Sequence, residues 1–292
     1  MFGASDLFYL HYASHAAWAV LLAKKLRPSR KLVVNLHGSD VFPTTKIQRK
    51  LQNKVSEIVC KADQIVVPSS FFKNTVAQKY HVDKNKIWVS PSGGVDTSVF
   101  YPTPKGYATT ITFGYVGRID PGKGWDVALR AFAELCWNQS ETNLKLVMIG
   151  SGQEELAKEK LIDKLDLRDR VESYSALPQE QLASWYQDFD VFLFPTELNE
   201  SLGLVGIESM ACGTPVIGSD IPSIRGYLKP HHNGLLFSKG DKTSLFQAMN
   251  QFLSLSPAER KQLGENAITT AQNYSTHIVK NQLLRLVRQL EA

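Results

Sequence analysis

The sequence predicts an α/β fold with two parallel sheets, and three observations point to it. Short apolar runs alternate with amphipathic helical stretches along most of the chain, the pattern of parallel strands covered on both faces. A stretch rich in proline and glycine, Pro91-Ser92-Gly93-Gly94-Val95-Asp96 and then Pro102-Thr103-Pro104-Lys105-Gly106, interrupts the alternation, which restarts after it. The 292 residues, 43% hydrophobic, can bury a large core and suit two domains. The expected division is residues 1–104, residues 105–274, and a closing helix over 275–292.

In order, residues 7–10 read as a strand, and a helix over 12–26 ends in Lys24, Lys25 and Arg27, where cations suit the helix dipole. Residues 32–36 form the next strand, running into the polar turn His37-Gly38-Ser39-Asp40, at the strand end where open α/β sheets bind ligands. A lone histidine there is either a structural hydrogen-bonding residue or a catalytic one. Over 46–62, Ile47, Leu51, Val55, Ile58 and Val59 share a face, with Lys46, Arg49, Lys50 and Lys54 elsewhere, an amphipathic basic helix. Residues 65–67 and 87–89 are strands separated by a helix that starts near Ser69.

The second half repeats the unit: strand 111–116, helix 127–136, strand 144–150, helix 154–165, strand 171–174 and strand 191–194. The loop Gly117-Arg118-Ile119-Asp120-Pro121-Gly122-Lys123-Gly124 is a glycine-rich strand-to-helix turn with two fixed cations. It is neither a P-loop nor Gly-x-Gly-x-x-Gly. Gly150-Ser151-Gly152 is a second permissive turn. At the tail, Ser256-Pro257-Ala258-Glu259 opens a helix with a capping box, and Ile278, Leu283, Leu286, Val287 and Leu290 give the last helix its apolar face.

The stretch 195–217 holds the densest chemistry. Residues 204–212 form the crossover helix between the strand 191–194 and the strand at Pro215-Val216-Ile217. Glu200 and Glu208 are eight positions apart, which on one helix is about 80° of rotation. With the helix beginning near Gly203, Glu200 instead hangs in the loop and Glu208 lies about one and a half turns inside. Two carboxylates then bracket a ligand over a helix N-terminus, where Gly203 lets a phosphate approach free N–H groups. The alternative is a capping carboxylate and a solvated surface charge.

Charge is unevenly spread. Residues 1–104 hold 14 Lys and Arg against 6 Asp and Glu, and the remainder holds 19 against 22. The basic half suits an anionic surface or substrate, or is a solvated face. Cys60, Cys136 and Cys212 lack metal-type spacing and point to a reducing compartment, hence a cytoplasmic location. The longest apolar run is far short of a membrane span, and residues 1–6 lack the basic start of a signal peptide.

Taken together, Gly117-Arg118 with Lys123-Gly124, Gly150-Ser151-Gly152, Glu200 and Glu208 with residues 210–217, and upstream Gly94-Val95-Asp96 and His37-Gly38-Ser39-Asp40, resemble the retaining family-4 glycosyltransferases, of GT-B architecture with two facing Rossmann-like domains. The resemblance implies sugar transfer from a nucleoside diphosphate, most simply a UDP-sugar, with retention and no required metal. It assigns Arg118 and Lys123 to the diphosphate, Glu208 to the ribose hydroxyls, Glu200 to the donor sugar and His37 to the reaction centre. Gly117, Gly150, Gly152, Ser201, Leu202, Gly203 and Leu204 are implied as further nucleotide-sugar contacts.

The family's usual Gly-Phe-Gly is here Ser201-Leu202-Gly203, and Ser175-Ala176 stands where a glycine is common. Four strands precede the boundary, fewer than the family's first domain, so the front of that domain is expected to be missing. The partners expected are a nucleotide sugar, a glycan or lipid-linked acceptor, an anionic membrane touched peripherally by the basic helix, and a second copy of the chain; a nucleic acid is not among them. A non-catalytic nucleotide-sugar-binding subunit is the alternative, and a dinucleotide oxidoreductase is disfavoured by the missing Gly-x-Gly-x-x-Gly.

Overall fold

The computed structural model describes residues 7–104, 109–139 and 142–291. The opening residues 1–6, and Lys105 and Gly106 of the boundary stretch, lie outside them. The chain separates into two compact units. One comprises the chain up to Gly94 with Asn199–Leu202 and the closing segment from Thr276, and the other comprises Val95–Leu198 and Gly203–Ser275.

The first unit runs β1 (Leu7–His11), α1 (Ala13–Leu26), β2 (Lys31–Asn35), α2 (Gly38–Val41), α3 (Lys46–Lys61), β3 (Gln64–Val67), α4 (Ser70–Tyr80), a 3-10 turn and β4 (Ile87–Val89). Its strands are parallel in the order β1-β2-β3-β4. Strand alternation sorts the apolar residues. Leu32, Val34, Ile65 and Val67 face a core shared with Val55, Ile58, Phe72 and Val76 of the helices. Thr45 and Gln48 form a reciprocal capping box that starts α3. The predicted polar turn at residues 37–40 is itself the start of the one-turn helix α2, capped by His37, because the buried Asp40 carboxylate accepts the backbone N–H of His37 at 3.1 Å and closes the turn.

The second unit runs β5 (Ile111–Val116), α5 (Trp125–Asn138), β6 (Leu144–Ile149), α6 (Glu155–Lys164), β7 (Val171–Tyr174), α7 (Gln179–Asp188), β8 (Val191–Phe194), α8 (Leu204–Ala211), β9 (Val216–Ser219), α9 (Pro222–Arg225), β10 (Gly234–Phe237), α10 (Lys242–Ser254) and α11 (Pro257–Gln272). All six strands are parallel, in the order β10-β9-β8-β5-β6-β7. From β5 the chain winds outward through β6 and β7, then returns to β8 on the other side. The carboxyl ends of β5 and β8 are therefore the point where strand order reverses, and loops leaving there diverge to open a crevice.

The final helix, α12 (Thr276–Glu291), belongs to the first unit, where Leu283, Leu286 and Leu290 cover Val33 and Val66 on the second face of the sheet. Its buried face differs from the expected one. Val279 is buried while Ile278 is exposed. At about 100° per residue, Val279 falls in line with Leu283, Leu286 and Leu290, and Ile278 is turned away from them.

Candidate functional site

In the second unit, the loop after β5 is laced to its neighbours by backbone bonds. Ile119 N–H donates to the Ser151 carbonyl at 3.1 Å, Glu154 N–H to the Ile119 carbonyl at 2.9 Å, and Glu197 N–H to the Gly122 carbonyl at 2.8 Å. Such close approach excludes side chains. A Cβ on Gly150 would overlap the Gly117 carbonyl, and one on Gly124, which caps α5 in the left-handed conformation, would overlap the Pro195 carbonyl. Gly150 and Gly152 thus shape the crevice by letting loops cross, whereas a Cβ on Gly117 would meet only the Tyr115 ring.

Arg118 projects from this loop with its side chain 68% exposed, and its Nη1 meets the Asp120 carboxylate at 2.6 Å. The other Asp120 oxygen accepts the Gln153 N–H at 2.9 Å, so Asp120 ties the cation to the adjoining loop. Lys123 lies half-buried between Gly122 and Gly124, the residue before the cap of α5. A mixed site of this kind, two cations beside open helix N-termini, favours a multiply charged anion.

Gly203 caps α8 with φ 88°, and its carbonyl accepts the Tyr227 hydroxyl at 3.2 Å. A Cβ there would press on the Phe194 ring, so glycine is required by conformation and by space. Leu204 begins the helix, whose first N–H groups have no partner within it. Glu208 follows one turn in and is 7% exposed. Burial pushes its pKa up to about 6, opposed by the Tyr186 hydroxyl, which donates to Oε2 at 3.2 Å. Tyr186 is itself fully buried on α7, and burial and then the Glu208 charge raise its pKa and keep the phenol protonated.

His37, Glu200, Ser201 and Leu202 belong to the first unit. The Ser201 carbonyl accepts the Ser69 hydroxyl at 2.6 Å, Leu202 is buried, and Glu200 is half-buried. The His37 ring stacks on Tyr12 with centroids 4.3 Å apart and lies 4.4 Å from His11. Burial, then the nearby His11 charge, lowers its pKa to about 4, and its Nε2 is buried without a hydrogen-bond partner among the described residues. Asn35 Nδ2 donates to the Tyr9 hydroxyl at 2.9 Å, completing a polar aromatic cluster at the carboxyl ends of β1 and β2.

Sequence reasoning missed Tyr186, Asp120, Tyr227, His11 and Tyr12 as parts of these clusters. Asp120 stood in a loop already singled out. Tyr186 lies 22 positions before Glu208, with no local pattern linking them.

Two parallel, doubly covered Rossmann-like sheets with a ligand crevice at the switch point define the GT-B class of α/β protein. Residues 104–270 match the family described as glycosyl transferases group 1, and residues 4–99 match glycosyltransferase family 4. The chain belongs to the glycosyl transferases group 1. It is 29% identical to a D-inositol 3-phosphate glycosyltransferase of Catenulispora acidiphila, over 93% of this chain and 68% of that protein. A second, from Kineococcus radiotolerans, is 30% identical over 80% of this chain and 58% of its own length. Among solved structures, sucrose-phosphate synthase from Thermosynechococcus elongatus superposes with TM-score 0.80 at 25% identity, covering 98% of this chain and 73% of that one. Anabaena HepE, solved with UDP and glucose, superposes at 0.82 with 18% identity over 97% and 78% of the two chains, a likeness of fold.

Proposed function

We propose that this chain transfers a sugar from a nucleoside-diphosphate sugar, most simply a UDP-sugar, to an acceptor with retention of configuration. The observation that carries the reading is the second unit's crevice, where the loop carrying Arg118 and Lys123 bonds to the loop leaving β8, and the glycine-capped α8 that follows carries the buried Glu208. In this reading Arg118, Lys123 and the N–H groups after Gly203 hold the diphosphate, and Glu208 accepts the ribose hydroxyls. The leaving diphosphate gains negative charge as the glycosidic bond breaks. Fixed cations and a helix N-terminus then stabilise the transition state more than the ground state, each contact contributing roughly 2–4 kcal/mol.

Glu200 is assigned to the donor sugar and His37 to the reaction centre. With its pKa near 4, His37 is neutral at physiological pH and offers a polar ring nitrogen without competing charge. The acceptor is proposed to be a glycan or a lipid-linked sugar, reached from an anionic membrane that the exposed Lys46, Arg49, Lys50 and Lys54 of α3 face. The solved HepE complex with UDP and glucose supports a nucleotide-sugar donor by analogy.

Titration calorimetry of the chain with a panel of nucleoside diphosphates tests the donor assignment. UDP is expected to bind, and Glu208→Ala to weaken it, while Glu200→Ala spares UDP and impairs sugar discrimination or turnover. Equal effects of the two substitutions on UDP would remove their separate roles.

A further inference from the structure

The second unit also carries a cavity of about 760 Å³ that the proposed transfer does not use. It opens at the amino-terminal end of the sheet. Ile111 begins β5 there, and Asp190 and Pro215 directly precede β8 and β9. The nucleotide crevice is built on loops leaving the carboxyl ends of the same strands, so the two sites lie at opposite ends of the sheet. The volume falls in the range of small-molecule sites, roughly 300–1,000 Å³.

Most of the wall is apolar, from Pro102, Pro104, Pro215, Phe252 and Ile268. Of the polar groups, Asp190 is already engaged, accepting the Thr112 N–H at 2.8 Å, and Glu265 lies 3.7 Å from Lys261. Arg260 is different. Its guanidinium lies 5.1 Å from the Phe252 ring centroid, and Nη2 donates to the Leu253 carbonyl at 2.6 Å. Its Nε, however, is buried and has no acceptor among the described residues. Arg260 lines the cavity, and its fixed guanidinium charge there would pair with a ligand carboxylate through a charge-assisted bond. Lys261, its side chain 79% exposed, adds a second cation at the cavity.

We propose that this cavity binds an amphipathic monoanion, with its carboxylate on Arg260 and its apolar body against Phe252, Ile268 and the prolines. The inference does not rest on the reading of the nucleotide crevice. Titration calorimetry of the full chain with octanoate tests it, using 1-octanol as the neutral counterpart. Octanoate is expected to bind, with octanol weaker by about tenfold or more, and saturating UDP is expected to leave octanoate binding in place. Arg260→Met keeps an apolar stem over Phe252 and is expected to cost octanoate about tenfold or more. Ala258→Trp, in the exposed first turn of α11, narrows the mouth and is expected to weaken octanoate without threatening the fold, so it decides the matter should Arg260→Met fail to fold. Absence of octanoate binding, equal binding of octanol, displacement by UDP, or indifference to the folded variants would overturn the proposal.

Discussion

Glu208 is a carboxyl held where ionisation is unfavourable. Its folded pKa of about 6 lies above the ordinary 4.5, so the stability it lends is fully present below about pH 4.5 and is lost as pH rises through 6. That shift corresponds to about 2 kcal/mol. Glu208→Gln retains an acceptor for Tyr186 and removes the charge. It is expected to stabilise the protein by about 1–2 kcal/mol at pH 8 and to be near neutral at pH 4, read by urea unfolding at both pH values. A variant less stable than the parent at pH 8 would contradict this account of the buried carboxyl. The cost has a proposed use, since the ionised form accepts the ribose hydroxyls on both oxygens through charge-assisted bonds. The affinity for UDP-glucose, whose diphosphate diester gains no proton in this range, is therefore expected to fall as pH drops below 6 in the parent and to stay flat in Glu208→Gln. His37 shifts the other way. Its pKa of about 4 lies below the ordinary 6.5, so its contribution is present above 6.5 and lost as pH falls toward 4. An NMR titration is expected to show its ring neutral from pH 5.5 to 8.

Among the elements, α8 depends on one residue at its start. Gly203→Ala forces an L-residue into φ 88°, about 1–2 kcal/mol, and sets a Cβ against Phe194. The melting temperature is expected to fall by several degrees, at about 2–4 °C per kcal/mol for a domain of this size, with loss of UDP affinity. Gly38→Ala is the matched control, because a Cβ there meets nothing within 4 Å; it is expected to be near neutral. An unchanged melting temperature for Gly203→Ala would mean that the turn relaxes freely. The position of α8 was legible in the sequence because local signals fix it, namely an apolar strand before it, a glycine at its cap and Thr214-Pro215 after it. Gly150 and Gly152 were legible as a permissive turn, but their purpose, passing beneath the Gly117 and Ile119 carbonyls, depends on contacts between loops about 30 residues apart. The contact between Tyr186 and Glu208 was invisible for the same reason. On α12 the periodicity was readable and its phase was not. Which residues face inward was decided by Val33 and Val66 on a sheet more than 200 positions earlier.

For the whole molecule, the excess of cations before residue 104 is concentrated in part on the exposed side of α3. Lys54 and Lys61 share Glu57, at 3.1 and 2.9 Å, whereas Lys46, Arg49 and Lys50 form no ion pair among the described residues. Near an anionic membrane each cation contributes about 1 kcal/mol. Replacing Lys46, Arg49, Lys50 and Lys54 with Gln is therefore expected to release the protein from anionic vesicles in a sedimentation assay, and raised salt should do the same. Vesicle binding indifferent to both would leave α3 a solvated face. Among the described residues no helix is long and apolar enough to cross a membrane. β1 stands, among the described residues, at the edge of its sheet, and a paired edge is the usual remedy for exposed strand groups. Self-association is proposed to cover it, and light scattering is expected to show a concentration-dependent dimer; a strict monomer across the accessible concentrations would contradict that.

The most direct test of the central claim is UDP calorimetry on the parent chain and on Lys123→Ala. A charged contact to the diphosphate accounts for about 1.5–3 kcal/mol, so the parent is expected to bind UDP and Lys123→Ala to bind it roughly 10- to 100-fold more weakly. Failure of the parent to bind UDP, or equal binding by Lys123→Ala, would contradict the assignment of this crevice to a nucleoside diphosphate.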